Sequence, residues 1–133
     1  AMAMAVKKSG WQPEEIDLIN AHGTSTPLND KMETMAIKRL LGEDNAKKVL
    51  VHSTKSMVGH ALGAAGAIET IATLLAIDKG IVHPTINQIT PDPDCDLNTV
   101  PNKAAEAKVD RAIINNFGFG GHNGVLAIQS CKD

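Results

Sequence analysis

The stretch Ser53-Thr54-Lys55-Ser56-Met57-Val58-Gly59-His60-Ala61-Leu62-Gly63-Ala64-Ala65-Gly66-Ala67-Ile68-Glu69 decides how this chain is read. It joins an apolar, small-residue helix to three groups such a helix should avoid: Lys55 just before it, His60 in its first turn and Glu69 inside it. Followed around a helix from Gly59 to Lys79, Ala61, Leu62, Ala64, Ala65, Ala67, Ile68, Ile71, Ala72, Leu74, Leu75 and Ile77 leave almost no polar face. That pattern predicts a helix covered on all sides. Gly59, Gly63 and Gly66 each disfavour an isolated helix by about 1 kcal/mol, which suggests close approach of neighbouring backbone. About 20 apolar residues suffice to cross a bilayer, but Glu69 and the many alanines argue against a membrane span. A carboxylate inside a buried helix needs a partner, and Lys55 is the natural one. His60, at the positive end of the helix dipole, is expected to stay neutral and to donate one hydrogen bond.

Working outward, Val49 to His52 reads as a strand that delivers Lys55, and Ile16 to Ala21 as a second strand leading into His22-Gly23-Thr24-Ser25-Thr26-Pro27. A strand, a polar glycine-bearing loop and then a helix is where α/β proteins place ligand sites, so His22 stands at the mouth of something. Leu28 to Leu41 is predicted as an amphipathic helix with Met32, Met35, Ala36 and Leu40 on its inner stripe; Thr26-Pro27 offers an earlier start, and Asp30 and Glu33 could form its cap. The run Glu43 to Lys48 reads as solvated loop. Met2 to Ser9 is the end of a helix stopped by Gly10, and its apolar beginning resembles a helix cut in mid-course more than a signal peptide.

Gly80 closes the central helix, and Ile81 to Ile89 is extended. Thr90 to Asp96 lacks the glycine and the terminal glutamate of a hand-type calcium loop and reads as a proline-set surface turn; Cys95 within it has no base or helix start to activate it. Ala112 to Asn116 and Val125 to Gln129 are strands joined by the glycine-rich turn Phe117 to Gly124. That turn does not have phosphate-loop spacing, and its glycines could aim backbone N–H groups into a site. His122 reads as a turn residue.

The chain has 133 residues, 43% of them hydrophobic, and a net charge of -2, which suits one domain of ordinary size and favours neither nucleic acid nor a membrane surface as partner. Tyrosine is absent and aromatics are 2%, so base-stacking platforms are not expected. Cys95 and Cys131 make neither a disulfide framework nor a metal spacing, no metal site is expected, and a reducing interior is the simpler setting.

Taken together, Ala21-His22-Gly23-Thr24-Ser25-Thr26, Ser53-Thr54-Lys55 with Gly59-His60, the Gly-Ala-Ala-Gly-Ala helix carrying Glu69, and Asn116-Phe117-Gly118-Phe119-Gly120-Gly121 resemble the C-terminal part of a β-ketoacyl-[acyl carrier protein] synthase of the class II elongating type. The resemblance runs over essentially the whole chain. It implies the second half of a thiolase-like fold, residues 1–133 forming a C-terminal α/β domain: a mixed β-sheet with the buried glycine/alanine-rich helix and flanking helices.

By that resemblance the parent protein is an acyltransferase of fatty acid biosynthesis. A cysteine of the first half carries the acyl chain, and malonyl-acyl carrier protein loses its carboxyl group before its carbanion extends the chain. His22 and His60 would be the catalytic histidines that donate to the thioester oxygen, with Lys55 and Phe119 also in the catalytic set and Glu69 supporting Lys55. The Phe119 N–H would form half of the acyl oxyanion hole, its ring gating the acyl pocket. Thr24 and Thr26 would hold the pantetheine arm. No cofactor is implied, since phosphopantetheine arrives on acyl carrier protein. The implied partners are acyl carrier protein, the N-terminal half and a second copy in a homodimer, in a cytoplasmic or, in a eukaryote, plastid or mitochondrial setting. Lacking the nucleophile half, this chain alone is expected to be inactive and to expose apolar surface. A chain-length-factor-like partner and a polyketide ketosynthase segment are the alternatives.

Overall fold

In the computed structural model, which describes residues 1–131, the chain builds a four-stranded sheet with helices on both faces. The elements in order are α1 (Met2–Ser9), β1 (Leu18–Asn20), α2 (Pro27–Leu41), α3 (Glu43–Ala46), β2 (Leu50–His52), α4 (Lys55–Val58), α5 (Ala65–Lys79), β3 (Ile81–Val82), β4 (Ala105–Glu106), β5 (Arg111–Gly118) and β6 (His122–Gln129). Short 3-10 turns occupy Pro13–Glu15 and Leu62–Ala64.

The sheet order is β2-β1-β5-β6, with β1 parallel to both β2 and β5 and β6 antiparallel to β5. β1 therefore has a parallel neighbour on each side, so the chain reverses its winding there. The C-terminal ends of β1, β2 and β5 open on the same edge, the usual place for a site in such sheets. Alternation along the strands divides the core. Ile19 and Ile113 face one way, into a cluster with Val6, Trp11, Ile37, Leu41, Ala46 and Val51. Leu18 and Ala112 face the other, with Ala76, Val82, Val100 and Val109.

α1 ends as the sequence predicts, on Gly10 with φ 74°, and α2 takes the earlier start, with Thr26 as N-cap and Pro27 at the first helical position. Three expectations are corrected. The inner stripe of α2 is Glu33, Thr34, Ile37 and Leu41, while Met32 and Met35 are 53% and 54% exposed. The helix is rotated by about one residue because Glu33 has backbone N–H groups to satisfy. Glu43–Ala46 is a helix, with Ala46 fully buried.

The third correction concerns the central helix. The run from Gly59 to Lys79 is not continuous: α4 ends on Gly59 at φ 76°, and α5 begins only at Ala65. Nor is α5 covered all round. Its buried stripe is Ala65, Glu69, Thr73 and Ala76, while Ile71, Leu74 and Leu75 are about half exposed. The sheet-facing side thus carries the polar residues, because the sheet offers them partners, and the apolar side faces outward. Among the described residues the glycines do not mediate close backbone approach: a Cβ at Gly59 or Gly63 would meet nothing within 4 Å, and one at Gly66 only the Asn116 amide at 3.7 Å.

Candidate functional site

Three strand ends converge on one edge. β1 runs through Asn20 into His22, β2 through His52 into Lys55, and β5 through Asn115 into Asn116 and Phe117. His22 is buried, and its ring meets that of His60 edge to face, centroids 5.5 Å apart and planes at 84°. Phe117 packs on the same ring at 5.3 Å. The two histidines expected from separate loops are therefore brought together.

His60 is not in the first turn of a helix but in the link between α4 and the 3-10 turn, and it is exposed. It therefore does not stand at the start of an α-helix, and a backbone hydrogen bond orients its ring instead. The Leu62 N–H donates to His60 Nδ1 at 3.1 Å. A ring nitrogen that accepts carries no proton, so in the neutral ring Nε2 carries it and is a donor. His22 is held toward its neutral form: burial lowers its pKa, and Lys55 and His60 add to the effect, opposed by Glu69 and Asn116. Its Nδ1 is buried and has no hydrogen-bond partner among the described residues.

The loop under His22 is shaped by Glu33, whose carboxylate accepts the N–H groups of His22 and Gly23, each at 3.0 Å, and the Asn115 side-chain amide at 3.0 Å. Burial pushes the Glu33 pKa up, and these hydrogen bonds oppose the shift. Gly23 is required where it stands: at φ 42° a Cβ would lie 2.6 Å from the Ser53 Cβ. The Ser53 hydroxyl donates to the Gly23 carbonyl at 2.7 Å and so ties the His22 loop to the start of α4. Ser25 and Leu62, non-glycine residues at φ 59° and 50°, lie in the loops that carry the two histidines. Such strain gathers at functional sites.

Lys55 and Glu69 pair as expected, with side chains 5% and 1% exposed. Asn116 donates its amide to the second Glu69 oxygen, so the carboxylate is held at both ends. Spacing in the sequence marks neither this contact nor those of Glu33: the signal of the motif around Asn116 is its glycines, and Glu33 reads as a helix cap.

A cleft of about 760 Å³ opens beside the pair. His60, Lys55, Thr24, Thr26, Thr85 and Asn87 are among its lining residues, and the Thr24 and Thr26 hydroxyls are 2.9 Å apart. Cys95 lines its α2 side, where burial pushes the thiol up and Thr34 opposes that with a hydrogen bond. Phe119 stands at the tip of the β5–β6 hairpin, fully exposed and outside the cleft lining. His122 opens β6 rather than sitting in the turn. Among the described residues no cluster of His, Cys, Asp and Glu could hold a metal ion, and no helix is long and apolar enough to cross a membrane.

Such an edge, two imidazoles beside a charge-balanced ammonium at the open end of a parallel sheet, defines a class: α/β proteins with a polar site at the strand ends. The comparisons narrow it. The β-ketoacyl synthase C-terminal domain family matches residues 1–88, and the chain belongs to that family. It is 54% identical over 97% of its length to 3-oxoacyl-[acyl-carrier-protein] synthase 2 of Synechocystis, and 52% identical over 99% to the same-named protein of Coxiella burnetii. It spans about a third of these relatives' own length. Among solved structures, a type II polyketide ketosynthase in complex with its acyl-carrier protein matches over 99% of this chain and 33% of its own, at 45% identity and a TM-score of 0.95. The thiolase-like half-fold expected from the sequence is thus the fold found.

Proposed function

We propose that residues 1–133 are the C-terminal domain of an elongating 3-oxoacyl-[acyl carrier protein] synthase and supply the decarboxylation half of its site. The observation that carries this reading is the meeting of the His22 and His60 rings beside the Lys55–Glu69 pair. As malonyl thioester loses carbon dioxide, the electron pair of the broken C–C bond moves into an enolate, and negative charge grows on the thioester oxygen. His60 Nε2–H and the neutral His22 ring donate to that oxygen, a stabilisation typically worth about 3 kcal/mol for one donor. Lys55, its charge balanced by Glu69, organises charge beside the site without attacking the thioester. The enolate carbon then attacks an acyl thioester held on a cysteine from the remainder of the protein, and the cysteine thiolate leaves.

Thr24 and Thr26, on the wall of the cleft, would take the pantetheine arm, and the Phe119 N–H would complete the acyl oxyanion hole. Acyl carrier protein delivers both thioesters, the full protein works as a homodimer in the cytoplasm or an equivalent organelle, and the isolated chain does not condense. The curated relatives at 52–54% identity are named 3-oxoacyl-[acyl-carrier-protein] synthase 2, which favours the fatty acid reading over that of the type II polyketide ketosynthase at 45%. Retention of both histidines with the ion pair disfavours a non-catalytic partner.

The test is carbon dioxide release from malonyl-acyl carrier protein by the full-length protein. His22→Ala and His60→Ala should each lower kcat about 100-fold or more. Undiminished release by either variant would overturn the assignment.

A further inference from the structure

Two more histidines lie behind the site. His52 is 1% exposed, and its ring stacks on that of His83 at 3.9 Å between centroids and 28° between planes. Their hydrogen bonds assign both tautomers. His52 Nδ1 lies 3.1 Å from the His83 carbonyl and His83 Nδ1 lies 2.9 Å from the Pro84 carbonyl. Carbonyls only accept, so each Nδ1 carries the proton. The His83 Nε2 is then a lone pair, and it sits 3.0 Å from the Thr54 hydroxyl.

That lone pair sets the direction of everything beyond it. Thr54 has one proton, for which the His83 lone pair at 3.0 Å competes with the Asn20 Oδ1 at 3.2 Å; given to the nearer acceptor, His83, it leaves the Thr54 oxygen to accept from the Asn20 side-chain amide at 2.9 Å. The same amide reaches the Glu69 carbonyl and the Thr73 hydroxyl, each at 3.2 Å. The chain of bonds therefore runs from the loop after β3, through the residue that caps α4, through the last residue of β1, to the turn of α5 that holds Glu69. Lys55 follows Thr54, His22 lies two residues beyond Asn20, and Glu69 is bonded directly. Every member except Pro84 and His83 is buried.

We propose that His83, braced by the stacked His52 ring, is a positioning residue whose Nε2 lone pair orders the Thr54–Asn20 bridge and so holds Lys55 in register with Glu69. Sub-ångström placement of such pairs is what supporting shells provide, and linked buried hydrogen bonds strengthen one another. Protonation of His83 would turn the acceptor into a donor aimed at Thr54. Burial disfavours that charge. The groups facing His83 are the neutral His52 ring, Thr54 and the Pro84 carbonyl, with no carboxylate among its hydrogen-bond partners in the described residues.

The proposal rests on the reading of Lys55 and Glu69 given above, so its test has one arm that needs no activity. In the full-length protein, the rate of Lys55 acetylation by acetic anhydride is read by peptide mass mapping, beside kcat and KM for malonyl-acyl carrier protein decarboxylation. His83→Leu, which removes the lone pair, should raise the acetylation rate at least tenfold and lower kcat at least tenfold, with KM within twofold. His83→Gln, whose side-chain oxygen can accept from Thr54, should restore both to within about threefold. Val6→Ala, in the core cluster on the other face of the sheet, controls for general loosening and should leave both unchanged. The proposal is overturned if His83→Leu leaves the acetylation rate within twofold of wild type, if Gln does not restore it, or if Val6→Ala reproduces the effect. Should the wild-type protein release no carbon dioxide, the functional reading falls, and the acetylation arm alone decides the role of His83.

Discussion

Lys55 and Glu69 form an ion pair removed from solvent, one at the start of α4 and the other on the sheet-facing stripe of α5, with Asn116 bound to the oxygen that Lys55 leaves open. Removing one member of such a pair strands a charge where water cannot reach it. Lys55→Met alone should destabilise the full-length protein by about 3–5 kcal/mol. Lys55→Met combined with Glu69→Gln should recover more than half of that loss, since no net charge is then buried. Urea unfolding of the four members of this cycle measures the coupling; additive losses would remove the pair from the account of stability.

Gly23 lies against Ser53 at a backbone conformation that a side chain resists. Gly23→Ala should cost at least about 2 kcal/mol, through overpacking against Ser53 and the strain of positive φ, and should weaken decarboxylation by displacing His22. Gly63→Ala meets open space and should be neutral or stabilising by up to about 1 kcal/mol. Melting temperatures of both variants check the contrast, and equal shifts would refute it.

His52 has its pKa lowered to about 3 by burial first and by the neighbouring His83 second. Between about pH 6.5 and pH 3 the unfolded chain binds a proton at this position and the folded chain does not. Stability therefore falls as pH falls, by up to about 1.4 kcal/mol per pH unit from this group. His22 and His83 act in the same direction and Glu33 in the opposite one, so the variant difference is the quantity to measure. Between pH 7 and pH 5, the urea midpoint of His52→Asn should decline less steeply than that of wild type. Parallel declines would contradict the assignment of a neutral, buried His52.

Ile71, Leu74 and Leu75 present one apolar stripe of α5 to solvent. Residues 1–133 expressed alone should self-associate at micromolar concentration, since contiguous apolar patches beyond a few hundred Å² are rare on monomers. Ile71→Lys with Leu75→Lys should shift the population toward monomer. Sedimentation of the unmodified chain as a single 14.0 kDa species would argue against it.

Local chemistry made much of this molecule legible. Gly10 and Gly80 stop their helices, Pro27 starts α2, and the apolar runs around Leu18, Val51 and Ile113 are strands, because each choice depends on neighbours within a few residues. The pairing of Lys55 with Glu69 was legible too, since a carboxylate in an apolar helix must find a cation and Lys55 stands at the strand end just before that helix.

What residues alone left open was which way each helix turns and which ring nitrogens carry protons. Met32 and Met35 resemble an inner stripe, yet Glu33 takes that place because the bare N–H groups of His22 and Gly23 lie above it. The interior side of α5 is the polar one because Asn20, Thr54 and Asn116 wait there. The proton of His60 is fixed by the Leu62 amide rather than by a helix end. Spacing along a chain reports what a segment can bury; a hydrogen bond depends on which distant atom comes within about 3 Å, and only the assembled sheet decides that.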